Sequence, residues 1–282
     1  MRVGIIGMGL IGGSFAKAVK LLGEHEVYGW DESEIIRQSA RLAEAVDGFL
    51  EDGNPEGCDL VLMALYPQAT IAYVEKFRKS FSKNAKVLDC AGVKVGICEK
   101  IGAIAKEEGF FFCGGHPMAG LERSGFTYAT GRLFRGATMI LTPDKESDLG
   151  TMNEISQFFK SIGFLKMQVA TPEEHDKMIA YTSQLAHVVS SAYIKSELST
   201  NFSGFSAGSF QDMTRVAKLN EDMWSELFLE NKEFLVDEID ILISRLTEYR
   251  DAIKDEKVDE LKKMLKDGKE KRLAIDHDKE FA

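Results

Sequence analysis

The chain has 282 residues, a formal net charge of −10, 44% hydrophobic and 28% charged residues, and 5 prolines; this balance excludes disordered and fibrous classes and allows two domains of about 150 residues. Its longest apolar stretches, such as residues 60–66, fall well short of the roughly 18 residues of a membrane span, and residues 1–6 lack the pattern of a signal peptide, so a cytoplasmic location with no membrane partner is expected. The negative charge argues against nucleic acid as a partner, and Cys58, Cys90, Cys98 and Cys113 form no CxxC pair, which favours buried free thiols over disulfides or a metal site.

Short apolar runs at residues 3–6, 27–30, 60–65, 87–88, 110–113 and 139–141 are separated by helical stretches. That alternation predicts βαβ units and a mostly parallel sheet covered on both faces. A helix at 149–162 and an apolar run at 164–169 complete the expected first domain, residues 1–170. Its first turn carries the densest signal. Gly7-Met8-Gly9-Leu10-Ile11-Gly12 is a G-x-G-x-x-G directly after a strand and opening a helix. Gly7 permits the tight turn, Gly9 lets a pyrophosphate approach the backbone, and Gly12 lets helix and strand pack closely. The N–H groups of Leu10, Ile11 and their neighbours at the helix start then face the anion. Asp31 ends the next strand, 19 residues after Gly12, where a carboxylate accepts from the ribose hydroxyls and repels a 2′-phosphate, so NAD is expected over NADP. The fold class read here is α/β: an N-terminal Rossmann-type dinucleotide-binding domain followed by an all-α C-terminal domain.

That second domain, residues 171–282, starts at Thr171-Pro172-Glu173-Glu174, a capping box with proline at the first helical position. Everything after it reads as helix, interrupted at residues 201–204 and 206–209. In the longest predicted helix, Phe228, Leu235, Leu242 and Tyr249 recur every seven residues beside Ile239, Leu246 and Ile253. This seam needs a partner helix, either within the chain or in a second copy. Residues 221–248 carry nine acids against Lys232 and Arg245, a solvated helix face, and the mixed-charge tail beyond is assigned no chemistry.

For chemistry, Phe110-Phe111-Phe112-Cys113 predicts a buried strand, and Gly114-Gly115-His116-Pro117 follows its carboxyl end, the side of an open α/β sheet where ligands bind. His116, flanked by glycines and a proline on that loop, is the candidate acid/base, with a structural histidine as the alternative. Arg123, Arg132 and Arg135 with Glu122 form a basic island suited to an anionic substrate, or else solvated surface arginines. On the helix from Thr171, Ser183 and His187 are four apart and share a face with Ala180 and Ser190, while His175 lies about a third of a turn away. Arg215 follows the glycine-bearing run from Gly208, where it could grip a carboxylate or pair with Asp212.

Taken together, the glycine motif, Gly-His-Pro-Met-Ala-Gly at 115–120, Tyr-Thr-Ser-Gln-Leu-Ala-His at 181–187 and Gln-Asp-Met-Thr-Arg-Val-Ala at 211–217 resemble the prephenate/arogenate dehydrogenase family of tyrosine biosynthesis, in its monofunctional form, over residues 1–250. The resemblance implies oxidative decarboxylation of prephenate by NAD, on a Rossmann domain joined to a helical dimerisation domain that forms a homodimer. It implies that His116 hydrogen-bonds the ring hydroxyl, that Arg215 binds a substrate carboxylate, that His187 and Glu122 organise the pocket beside Ser183 and Gly208, and that Trp224 sits near the site. Gly92 stands where many members have a serine assisting the catalytic histidine, and Gln184 and Ala186 replace a histidine and a proline. No fused regulatory or mutase domain is expected, so any tyrosine inhibition would use the active site. Rival readings are arogenate as substrate, a β-hydroxyacid or imine dehydrogenase, which would place a lysine on the interdomain helix, and an NAD- or metabolite-sensing module without turnover.

Overall fold

A computed structural model of the chain describes residues 1–200, 204–205 and 208–280. It comprises two compact units, Met1–Lys232 and Glu233–Ala282. The first is built on one eight-stranded sheet in the order β3-β2-β1-β4-β5-β6-β7-β8. The strands are β1 (Arg2–Ile6), β2 (Glu26–Trp30), β3 (Gly48–Phe49), β4 (Leu60–Met63), β5 (Lys86–Asp89), β6 (Phe111–Pro117), β7 (Thr138–Pro143) and β8 (Lys166–Val169). Alternation of side chains across the sheet divides the core in two. Val3, Ile5, Leu60 and Leu62 face one layer with Phe15, Phe134 and Phe159, while Ile6, Val61 and Met63 face the other with Val74, Ile97 and Ile101. Burial on both faces explains why these strands read as continuous apolar runs.

The covering helices are α1 (Leu10–Leu22), α2 (Glu34–Leu42), α3 (Pro67–Phe77), α4 (Val95–Glu108) and α5 (Leu149–Ser161). Chain order and sheet order reverse between β1 and β4, so a crevice opens at their carboxyl ends, as the Rossmann-type plan requires. All pairs are parallel except β6 with β7. That exception corrects one expectation. β6 does not end at Cys113, because β7 returns antiparallel and pairs Gly114 with Thr142, Gly115 with Leu141 and His116 with Ile140. His116 is therefore held on a strand, not on a loop.

Beyond β8 the described residues are helical: α6 (Pro172–Ile179), α7 (Leu185–Tyr193), α8 (Gly208–Thr214), α9 (Glu221–Glu230), α10 (Lys232–Lys254) and α11 (Val258–Glu280). The capping box at Thr171 forms in both directions, Oγ1 accepting the Glu174 N–H at 3.1 Å while the Thr171 N–H donates to Glu174 Oε2 at 2.9 Å. Between α6 and α7 one π-turn, Ala180–Gln184, interrupts the α-helical phase. It inserts a residue without advancing the helix face, so the angle between His175 and His187 falls from about 120° to about 20°. The separation expected for His175 is removed.

Two further expectations change. The long seam helix is broken at Asn231, which leaves Phe228 on α9 and Leu235, Leu242 and Tyr249 on α10. The second predicted break covers Gly208 and Ser209, which instead begin α8; residues 201–203 and 206–207 lie outside the described residues. No described helix is long and apolar enough to cross a membrane.

Candidate active site

The glycine turn joins β1 to α1 with no side-chain cap at Gly9, so the first N–H groups of the helix, on Leu10, Ile11 and Gly12, have no partner within it. Gly7 has φ +83°, a left-handed conformation that disfavours any residue with a Cβ. A Cβ on Gly12 would lie 1.8 Å from the Gly7 carbonyl oxygen, whereas one on Gly9 would meet nothing within 4 Å. Gly12 therefore closes the turn against itself, and Gly9 leaves open space in front of it. Asp31, just past β2, clamps the same turn: Oδ2 accepts the Met8 N–H at 2.8 Å and Oδ1 accepts the Ser33 N–H at 2.9 Å. Each oxygen keeps lone pairs for further donors. The residues present fit a dinucleotide, with unpartnered N–H groups for the pyrophosphate and a carboxylate for a ribose.

Along the carboxyl edge of the sheet, β4 and β5 separate β1 from β6, so three strand spacings, about 14 Å, lie between the glycine turn and the strand of His116. Directly before it, Gly115 donates its N–H to Asp89 Oδ1 at 3.1 Å. Asp89 Oδ2 takes the Lys94 ammonium and the Ala91 N–H, and both Asp89 and Lys94 are fully buried. A buried ion pair of this kind is held in place by its own desolvation, since neither charge can be left alone. It fixes β6 next to the histidine.

His116 Nδ1 lies 2.8 Å from His175 Nε2, and His175 Nδ1 lies 2.7 Å from Asp176 Oδ1. Burial, with the positive charge of Lys94 and the neighbouring His175, drives the His116 pKa well below its ordinary value of 6.5. Burial thus favours the neutral form of the His116 imidazole. His175 is lowered as well, chiefly by burial against the opposing hydrogen bond from Asp176. The sequence reading gave no role to His175, Asp176, Lys94 or Asp89. An Asp at the end of β5 and a Lys at the start of α4 were visible, but their mutual burial was not.

A second group gathers on α7 and the segment after α8. His187 Nδ1–H donates to the Val216 carbonyl at 3.1 Å, and its ring centroid is 3.9 Å from that of Trp224. Burial lowers its pKa too. Arg215 pairs with Glu122, 93 residues earlier in the chain, and both side chains remain substantially exposed at 62% and 44%. Helix α9 carries Trp224 across the carboxyl ends of the strands: Glu226 accepts the Gln68 N–H at 2.8 Å at the start of α3, and Leu227 would touch a Cβ at Gly92. Gln184, which stands where the family commonly has a histidine, is buried and structural, donating to the Leu227 carbonyl at 3.0 Å and accepting from Asn231 at 2.7 Å. Ser183 lies on the π-turn beside it and Gly208 at the exposed start of α8. Arg123, Arg132 and Arg135 are exposed, with Arg123 over the Tyr128 ring.

The nucleotide-binding domain model of prephenate dehydrogenase matches residues 15–166, and the dimerization domain model of the same enzyme matches residues 171–267. The chain is 32% identical to the cyclohexadienyl dehydrogenase of Zymomonas mobilis, covering 98% of this chain and 97% of that protein. Among solved structures it is similar to Aquifex aeolicus prephenate dehydrogenase in complex with hydroxyphenyl propionate and NAD+, at 30% identity and a TM-score of 0.85 over 98% of both chains. It shares the fold of Synechocystis arogenate dehydrogenase, at 24% identity and a TM-score of 0.81 over 98% of this chain and 100% of that one.

Proposed function

The chain belongs to the prephenate dehydrogenase family, and from that membership we infer that it is an NAD-dependent dehydrogenase carrying out the oxidative decarboxylation of prephenate to 4-hydroxyphenylpyruvate. The observation that carries this reading is an imidazole, His116, hydrogen-bonded through Nδ1 to His175 at the carboxyl edge of the sheet that also carries the glycine cradle. Gly7, Gly9, Leu10, Ile11, Gly12 and Asp31 would hold NAD in that cradle, and the bound cofactor would supply the hydride acceptor for the substrate carbon bearing the ring hydroxyl. His116 is the catalytic residue: its Nε2 takes the hydroxyl proton as that carbon is oxidised. Carbon dioxide then leaves from the opposite ring carbon, its bonding pair makes the ring aromatic, and His116 returns the proton to the phenolic oxygen. Proton and charge balance without any further reactant, and a base of this kind contributes on the order of 10²- to 10⁴-fold.

In the same reading Arg215 exchanges Glu122 for a carboxylate of the substrate, a two-point contact suited to its planar fork. Glu122 holds the guanidinium until then. His187 and Trp224, their rings in tilted contact, wall the substrate, and Ser183 and Gly208 line its approach. We divide the work at residue 170, with residues 1–170 binding NAD and residues 171–282 binding substrate and forming a homodimer. The match to a dimerization domain supports this, as do Leu246, Ile253 and Leu265, more than half exposed on α10 and α11. A cytoplasmic location suits the free thiols Cys90 and Cys113.

Incubating purified protein with NAD and prephenate, and separately with arogenate, tests the reading through nicotinamide reduction. Turnover of prephenate supports it; turnover of arogenate alone replaces the substrate, the two differing by a keto or amino group on the side chain. Silence with both, in protein that binds NAD, would discard the activity.

A further inference from the structure

His116 belongs to a hydrogen-bonded chain, buried at its His175 and Asp176 end, whose direction is readable from that end. Asp176, on α6, packs against the start of α4, where its Oδ1 accepts the Lys94 N–H at 2.7 Å and its Oδ2 accepts the Val95 N–H at 2.8 Å. Both oxygens thus accept N–H bonds, as those of a carboxylate do, and a carboxylate accepts but cannot donate. His175 Nδ1, 2.7 Å from Oδ1, is therefore the donor, which leaves the lone pair of His175 on Nε2. His116 Nδ1, 2.8 Å from that lone pair, must donate in turn. The proton of neutral His116 is thereby placed on Nδ1 and its acceptor on Nε2.

The surroundings hold this order. Asn231 Nδ2 donates to the Asp176 carbonyl at 2.9 Å, and the nearby charges Lys94 and Asp89 are paired with each other. Burial pushes the Cys98 thiol on α4 up to about 11, so it stays neutral.

Resting on the assignment of His116 as the base, we propose that His175 and Asp176 are positioning residues that fix His116 in the tautomer able to take a proton at Nε2. When Nε2 takes the substrate proton, the Nδ1–H bond to His175 strengthens and the Asp176 carboxylate balances the charge through the second ring.

Asp176→Asn tests the proposal because a carboxamide can donate to His175 Nδ1. With the amide nitrogen in the Oδ1 position, where it gives up the Lys94 N–H bond, the chain reverses, putting a proton on His175 Nε2 and the His116 proton onto Nε2, the inversion known from Asp-to-Asn changes in His–Asp pairs. Nitrogen-15 NMR of histidine-labelled resting protein reads the tautomer directly. Wild type should show His116 protonated at Nδ1, and Asp176→Asn should show it protonated at Nε2, with kcat lower by on the order of 10²–10⁴ while KM and NAD affinity change less than about twofold. Wild-type protein with the proton on His116 Nε2, or an Asp176→Asn protein with the inverted tautomer and unaltered kcat, overturns the proposal.

If Asp176→Asn does not fold, or keeps the wild-type tautomer by turning its amide oxygen to His175, His175→Gln and His175→Phe decide. The glutamine carbonyl can still accept from His116 Nδ1, so it should keep the wild-type tautomer and turn over at least about tenfold faster than the phenylalanine protein; equal loss in both refutes the dyad. Because the tautomer is read without substrate, failure of prephenate turnover would remove the proposed activity while leaving this result intact.

Discussion

Arg215→Ala separates a structural from a substrate-binding arginine. The ion pair with Glu122 is 62% and 44% exposed, and exposed pairs contribute about 0.2–1 kcal/mol. At about 2–4 °C per kcal/mol for a chain of this size, its loss should lower Tm by no more than about 4 °C. Binding is a different matter. A hydrogen bond to a charged group is worth about 1.5–3 kcal/mol, and since substrate displaces the Glu122 carboxylate, only about one such bond is gained in net. At about 1.36 kcal/mol per factor of ten, KM for prephenate should rise roughly 10- to 100-fold. Arg215→Lys keeps the charge but loses the fork and should fall between. Steady-state kinetics with prephenate as the varied substrate, alongside thermal unfolding, give both quantities. A KM within twofold of wild type for Arg215→Ala would refute the assignment of this residue, and a Tm loss far above 4 °C would show that the pair is structural.

His116→Asn should lower kcat by on the order of 10²–10⁴ with NAD binding intact, and because His116 is held below its ordinary 6.5, the wild-type kcat plateau should extend into the acid range and fall only below that value; an acid limb centred above it would contradict the burial argument. His116, His175 and His187 all have folded pKa values lowered from 6.5, so the unfolded chain binds more protons just below 6.5 and their stabilising contribution, full above it, is lost as pH falls; urea midpoints should be lower at pH about 5.5 than at about 7.5. Gly9→Ala adds a Cβ that meets nothing within 4 Å, so its unfolding midpoint should match wild type while NAD affinity drops in calorimetry, whereas Gly12→Ala, with its Cβ 1.8 Å from the Gly7 carbonyl, should lose both; unchanged NAD affinity in Gly9→Ala would exclude close approach of the pyrophosphate. Lys94→Met should cost about 3–5 kcal/mol in denaturant unfolding by leaving the buried Asp89 without its partner, and a cost under about 1 kcal/mol would refute the structural role given to this pair.

What the sequence determined by itself were the features whose cause is local. Gly7, Gly9, Gly12 and Asp31 are tied to one strand-turn-helix unit, and Thr171, Pro172 and Glu174 cap a helix through bonds that span three residues. Strand periodicity gave the Rossmann-type sheet because burial on both faces leaves a continuous apolar run. The motif blocks around His116 and Arg215 gave the family.

Only the tertiary structure decided how those blocks meet. His116 moved from loop to strand because β7, more than twenty residues on, pairs with it. The π-turn at Ala180–Gln184 rotated His175 onto the face of His187, and a phase slip of one residue leaves no mark in composition. The seam broke at Asn231 because that side chain turns inward to Asp176 and Gln184. Periodicity reports which face of a segment is apolar, but a hydrogen bond between residues 59 positions apart, such as His116 to His175, depends on where two segments are brought together by packing, and that is set by the whole chain rather than by either segment.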